Sequence, residues 1–230
     1  MCYLDFAWDL VGGNMRKIIQ TFPTVMLEAI IDNHQEINSK LRYEIKELFN
    51  DTNTQKRALS YQWEEFIISN DNHSTGYSNF TAESNLVKNE NFSFFYDHIR
   101  NIISEFFEQL SYTGSWHFVN SWAAIYPKGA WVPLHDHKIM EWSGVYYVSA
   151  PNNCGDIVFT DPKEYALAAE PPNTRWRGNY KQRFSPQDGK LILFPSYVKH
   201  ETMPNNSDED RIIISFNINT GEKNYKFPQV

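Results

Sequence analysis

The sequence predicts a mostly β protein with supporting helices, arranged as a jelly roll. The hydrophobic pattern is helical in parts of the first half of the chain and changes to a period of two after about residue 110. Aromatic residues make up 16% of the 230 residues, which favours a packed protein rich in strands. Helices followed by many short strands are typical of a β core supported by helices.

The chain length suits one domain over residues 1–230. Residues 21–110 are predicted to form an N-terminal helical support region, and residues 116–219 the jelly-roll catalytic core. In the support region we expect a strand over residues 21–31, then helices over residues 32–49 and 92–110, because apolar residues recur there at helical spacing.

The core is predicted to contain six strands, with Gly or Pro between most of them. They are expected at residues 116–126, 131–137, 143–150, 156–160, 190–194 and 211–219. Residues 162–187 are predicted to form a long loop over the mouth of a site, and residues 50–92 to form loops with one short element near residues 63–68.

Composition and charge exclude several classes of function. A net charge of -7 argues against nucleic acid as the main partner. No stretch approaches the roughly 18 consecutive apolar residues of a membrane span. The two cysteines, Cys2 and Cys154, do not make a disulfide framework, which predicts a cytoplasmic protein.

Three histidines form the candidate metal site. His135 and His137 lie in one strand-like run, where residues i and i+2 point to the same face, so both imidazoles can reach one point. His200 follows a second apolar run. Asp136 would face the opposite side unless the strand bulges, and it is kept as the alternative third ligand.

Arg211 lies a short way past the last histidine, at the start of another apolar run. A guanidinium presents a planar fork that matches a carboxylate. Neutral imidazole binds Fe(II), so three nitrogen ligands beside such an arginine suggest iron chemistry with an acidic cosubstrate.

The order and spacing of these motifs resemble the iron(II)/2-oxoglutarate-dependent oxygenases. The resemblance rests on motifs that follow one another in the expected order. They are His135-Asp-His137, Ser-Gly-Val-Tyr-Tyr at residues 143–147, the runs 155–159 and 189–195 that each begin with Gly, Asp161-Pro162, His200, and Arg211 with Ser215. It is nearest to oxygenases of this type in bacteria and tailed phages, and more distant to prolyl hydroxylases. It implies a double-stranded β-helix, which is a jelly roll of the cupin-like type.

The resemblance also implies a role for each site residue. His135 and His200 would be the first and the distal iron ligand, and Arg211 would bind the remote carboxylate of 2-oxoglutarate. His137 stands where most of the superfamily has Asp or Glu, and would complete the ligand set. Three further residues would line the cosubstrate: Ser215 and Tyr147 as donors to its carboxylate, and Val145 against its methylenes.

The function implied is a dioxygenase that uses Fe(II), 2-oxoglutarate and O2, hydroxylates a C–H bond and releases succinate and CO2. The substrate is expected to be a protein or peptide side chain, with a free amino acid or small metabolite as the next choice. For a phage-encoded protein the location would be the host cytoplasm. Two other readings stay open: a three-histidine cupin-type dioxygenase without 2-oxoglutarate, and a non-catalytic jelly-roll binding or structural module.

Overall fold

The computed structural model describes residues 9–11, 14–16, 23–51, 57–58, 77–79, 85–137, 139–163 and 180–221. Two long helices lie in the first half of this part of the chain, α1 at His34–Asn50 and α2 at Ser93–Gln109. Two short 3-10 helices, Leu86–Lys88 and Glu90–Phe92, precede α2.

The described strands are numbered here in chain order. Those of the first half are short: β1 Asp9–Val11, β2 Asn14–Arg16, β3 Leu27–Ile30, β4 Arg57–Ala58 and β5 Tyr77–Ser78. Those of the second half are β6 Trp116–Tyr126, β7 Trp142–Ser149, β8 Ile157–Thr160, β9 Lys181–Phe184, β10 Lys190–Pro195, β11 His200–Thr202 and β12 Arg211–Thr220.

Two antiparallel sheets face each other in the core. The large sheet has the strand order β3-β10-β7-β12-β6-β5-β4, and the small sheet has the order β11-β8-β9. Strands β7, β12 and β6 are adjacent, so Ser215 on β12 pairs with Val145 on one side and Trp122 on the other.

Side-chain alternation divides the large sheet into two faces. One face packs against the helices, where Leu41 and Ile99 share a buried cluster with Tyr146, Ile214 and Phe216 of the sheet. Because successive strand residues point to opposite faces, the neighbouring residues point toward the small sheet. The resulting inner cluster contains Tyr126, Val145, Tyr147, Phe159, Phe194 and Ile213.

Helix α1 is tied to β7 by a buried polar contact as well as by apolar packing. The Tyr146 hydroxyl donates to Asn38 Oδ1 at 2.6 Å, and Asn38 is 1% exposed. Arg42 donates to the Val148 carbonyl at 3.0 Å. The helical support therefore fixes the strand that carries Val145 and Tyr147.

The fold prediction is confirmed: the described chain is mostly β with two supporting helices, and both predicted helices lie within two residues of their expected ends. Two predictions of local structure need correction, one of a strand and one of a loop. Of residues 131–137, only His135 forms a bridge, because Pro133 has no N–H to donate to a ladder. The predicted loop over residues 162–187 contains β9, which pairs with β8.

Residues 164–179 of that loop, and the short element expected near residues 63–68, lie outside the described residues. Neither α1 nor α2, nor any other helix of the described chain, has the length and hydropathy required to cross a membrane.

Candidate metal and cosubstrate site

His135 and His200 are held opposite each other by the backbone. Each donates its N–H to the carbonyl of the other, at 2.9 and 2.8 Å, so the segment before His137 continues the small sheet beside β11. A directly opposed antiparallel pair places both side chains on the same face of a sheet. The ring centroids of the two histidines are 4.2 Å apart.

The imidazole of His137, two residues after His135 in the sequence, reaches the same point. The backbone N–H of His137 donates to the Ser196 carbonyl at 3.0 Å, which anchors the segment to the end of β10. Its ring centroid lies 5.3 Å from that of His135 and 5.2 Å from that of His200. The ligand atoms of the three histidines all lie within 4.8 Å of one another.

Each imidazole has its Nδ1 beside an oxygen atom. His135 Nδ1 is 2.8 Å from the Pro133 carbonyl and His200 Nδ1 is 3.0 Å from the Val198 carbonyl. His137 Nδ1 is 2.7 Å from the side-chain Oδ1 of Asn217. A carbonyl oxygen requires the Nδ1–H tautomer, which leaves the lone pair of each Nε2 for a shared ion.

Burial keeps the three imidazoles neutral. It lowers the pKa of His137 to about 4, against the opposing effects of the Asn217 hydrogen bond and the Asp136 charge. Burial also lowers the pKa of His135, and it lowers the pKa of His200 well below the usual value. Neutral imidazole is the form that binds a metal, so the donor set fits a borderline divalent ion such as Fe(II).

Asp136 is described in the structure but is not part of the three-histidine cluster. Its negative charge raises the pKa of both His135 and His137, which places it near them as a neighbouring charge.

Arg211 lies at the far end of the same inner face, and its side chain is 1% exposed. Its Nη1 donates to the carbonyls of Cys154 at 2.6 Å, Gly155 at 2.9 Å and Met203 at 3.4 Å, and its Nη2 donates to Thr202 Oγ1 at 3.2 Å. The guanidinium carbon lies 4.2 Å from the centroid of the Tyr126 ring.

The link between Arg211 and the histidines is β11. Thr202, which contacts the guanidinium, follows His200 by two residues on that strand. Two residues of strand span about 7 Å. The Arg211 guanidinium therefore contacts a residue that lies about 7 Å along β11 from His200.

The structure brings Tyr147 and Arg211 together but separates Ser215 from them. The Arg211 charge lowers the pKa of Tyr147, which burial raises, so the phenol is close to the guanidinium. Val145 is 5% exposed in the inner cluster. Ser215 pairs with Trp122 and Val145, and it is four strand residues, about 13 Å, from Arg211 along β12.

Sequence reasoning assigned no role to Asn217, Ser196 or Thr202. Asn217 and Ser196 are buried polar side chains around His137, and Thr202 contacts Arg211. Alternation along β12 would have indicated Asn217, because it shares a face with Arg211 and Ser215.

Two facing sheets with three imidazoles at their junction define the class of fold: a double-stranded β-helix. Residues 120–217 match the family model described as "Putative 2OG-Fe(II) oxygenase". This match confirms the resemblance predicted from the sequence. It also confirms, at the level of the family, the predicted cofactors Fe(II) and 2-oxoglutarate with O2 as cosubstrate.

Solved structures with the same fold include a prolyl-4-hydroxylase from Pseudomonas putida. It is 13% identical, with a TM-score of 0.57 over 84% of this chain and 92% of that one. AviO1 from Streptomyces viridochromogenes is 10% identical, with a TM-score of 0.60 over 89% of this chain and 93% of that one.

HygX from Streptomyces hygroscopicus, solved with nickel, 2-oxoglutarate and hygromycin B, is 11% identical, with a TM-score of 0.56 over 85% of this chain and 82% of that one. At these identities the likeness shows the fold. No curated protein sequence matches the chain significantly.

Proposed function

We propose that this chain is an Fe(II)- and 2-oxoglutarate-dependent dioxygenase that hydroxylates a C–H bond of a protein or peptide side chain. The observation that carries the proposal is the cluster of three neutral imidazoles, one buried and two half-buried, with each Nδ1 beside an oxygen. His135, His137 and His200 would hold the metal. Three protein ligands leave open positions for a cosubstrate, which a closed structural site does not.

Arg211 would bind the remote carboxylate of 2-oxoglutarate. The contacts of Arg211 with the protein use the two N–H groups of Nη1 and one of Nη2, and a guanidinium has five. The distance of about 7 Å along β11 suits a five-carbon diacid whose other end is at the metal. Tyr147 beside Arg211 would add a phenol donor.

Val145 would line the cosubstrate between these two ends, and Ser215 would line the pocket beside Val145. Val145 presents an apolar surface, and Ser215 lies directly across the β7–β12 pair from it. When bound, Fe(II) with 2-oxoglutarate and O2 supplies the oxidation, with succinate and CO2 released. The protein orients the cosubstrate and excludes water through the buried residues Tyr126, Tyr147 and Phe194.

Exposed apolar side chains beside the ligands support a polymer substrate. Leu134 is 41% exposed, Ile139 62% and Tyr197 58%. Leu134 adjoins His135, Tyr197 adjoins Ser196, and Ile139 follows His137 by two residues. Large exposed apolar residues near a site are typical of surfaces that bind a protein or peptide.

The test is an anaerobic titration of the Fe(II)-loaded protein with 2-oxoglutarate, followed by the visible metal-to-ligand charge-transfer band. We expect the band in the wild type and in His98→Ala, a control on α2, and its loss in His200→Ala. Succinate formation under air, with and without candidate peptides, then tests turnover. Iron binding without a band would contradict the use of 2-oxoglutarate.

A second candidate is a three-histidine dioxygenase that binds its substrate directly at the metal. It is favoured by the absence of a carboxylate from the described ligand cluster and by the three carbonyls that surround Arg211 Nη1. It predicts oxygen consumption with substrate but without 2-oxoglutarate, which an oxygen electrode distinguishes.

A further inference from the structure

His137 differs from the other two histidines in what holds its Nδ1. His135 and His200 each use the backbone carbonyl two residues earlier, a contact that depends little on the surrounding side chains. His137 instead uses the side chain of Asn217, which lies 80 residues away on β12, at 2.7 Å. Its orientation is therefore set by tertiary contacts.

Asn217 belongs to a hydrogen-bonded network of buried polar side chains. Ser143 Oγ lies 2.7 Å from Asn217 Oδ1, 2.9 Å from His137 Nδ1 and 2.7 Å from Ser196 Oγ. Asn217 Nδ2 donates to Asn120 Oδ1 at 2.7 Å. Ser143, Ser196 and Asn217 are 1%, 0% and 4% exposed.

The donors and acceptors in this network are consistent with one tautomer of His137. If Nδ1 of His137 carries the proton, it donates to Asn217 Oδ1, the Ser143 hydroxyl donates to the same oxygen, and the Ser196 hydroxyl donates to Ser143. His137 Nδ1 and the hydroxyls of Ser143 and Ser196 then each have an acceptor, as a buried network requires. In that state His137 Nε2 has a free lone pair directed away from Asn217.

We propose that Asn217 and Ser143 are positioning residues that fix His137 as the Nδ1–H tautomer, and that they make this position specific for histidine rather than a carboxylate. The proposal rests on the function proposed above, because it assumes that His137 binds the metal. An aspartate at position 137 would be too short to keep the contact with Asn217, and the Asn217 oxygen would lose the histidine donor.

The test is a double-mutant cycle read by metal affinity alone. Co(II) binding to the metal-free protein is followed by its visible absorption in four proteins: wild type, Asn217→Ala, His137→Ala and the double variant. Loss of an outer hydrogen-bond partner weakens metal binding by about 10- to 100-fold. We expect that loss for Asn217→Ala in the wild-type background and no further loss in the His137→Ala background.

Three other variants distinguish a specific effect of Asn217 on metal binding from a folding defect of Asn217→Ala. Asn217→Asp keeps an acceptor at Oδ1 and should bind Co(II) within about threefold of the wild type or more tightly, since a carboxylate is the stronger acceptor. Ser143→Ala should weaken binding in the same direction as Asn217→Ala. Asn219 lies on the same strand, and its Oδ1 accepts a hydrogen bond from the Glu141 N–H. Asn219→Ala should not change Co(II) affinity.

The outcomes separate the two proposals. A wild-type protein that binds no Co(II) overturns the metal site, and this inference with it. Wild-type binding together with an Asn217 effect that persists in the His137→Ala background, or with no Asn217 effect, overturns this inference and leaves the metal site standing.

Discussion

His135 and His200 exchange both of their backbone hydrogen bonds, and this pairing aligns two of the three imidazoles. It joins the segment after Pro133 to β11 although the two are more than sixty residues apart in the chain. The third imidazole, His137, depends on side chains of the other sheet. The candidate ligands are therefore held in place by both sheets.

Replacement of one member of this pair should remove the metal site without unfolding the protein. We expect His200→Ala to lower Co(II) or Fe(II) affinity by at least about 100-fold, because two imidazoles remain and the backbone pair is kept. Isothermal titration with Co(II) measures this, with His98→Ala as control. Equal affinities in His200→Ala and the wild type would show that the metal binds elsewhere.

Arg211 is expected to stabilise the fold as well as bind cosubstrate. In Arg211→Gln the carbonyls of Cys154 and Gly155 lose their hydrogen bonds from the charged guanidinium. This loss should lower the free energy of unfolding by about 2–4 kcal/mol. Urea denaturation of the metal-free protein measures this cost. Ser215→Ala, on the same face of β12, should change it by less than about 1 kcal/mol; a similar loss in both variants would contradict the role of the Arg211 contacts.

Trp122 should report metal binding by fluorescence. Its ring centroid lies 6.1 Å from that of His137, so a paramagnetic ion such as Co(II) should quench its emission. The sequence has seven tryptophans, and Trp122→Phe should remove most of the metal-dependent quenching. Trp116→Phe is the matched control, about 20 Å away along β6, and quenching that depends on Trp116 instead would place the ion at another site.

The metal-free protein should lose stability as the pH falls below about 6.5. Burial lowers the pKa of His137 to about 4 in the folded state, so between these values the unfolded chain binds a proton that the folded chain does not. Such a group lowers the unfolding free energy by up to about 1.4 kcal/mol per pH unit over this range. Urea denaturation at pH 7.5 and pH 5 should show this loss, and a smaller one in His137→Gln.

Gly144 should not tolerate a larger residue. A Cβ at this position would lie 2.2 Å from the Phe216 ring, in the layer between the large sheet and the helices. We expect Gly144→Ala to destabilise the protein by about 1–3 kcal/mol through overpacking, measured by thermal unfolding. Ser149→Ala at the end of β7 is the control, and an unchanged melting temperature in Gly144→Ala would show that Phe216 can move aside.

The sequence alone determined the fold class, both long helices and most core strands, because these depend on local periodicity. It also indicated His200 and Arg211 through the order and spacing of motifs, and His135 with His137 through alternation, which decides which residues of a strand share a face. That is why Val145 and Tyr147 could be placed on the inner face in advance.

Only the tertiary structure decided which groups surround these residues. Asn217 lies 80 residues from His137, and Cys154 and Gly155, whose carbonyls accept from Arg211, lie 57 and 56 residues from it. The same applies to β9, whose exposed, polar residues carry little hydrophobic pattern and which is defined by its pairing with β8. Local patterns determine which face a side chain occupies, whereas its partners depend on sheet order and register, which are set by packing of the whole chain.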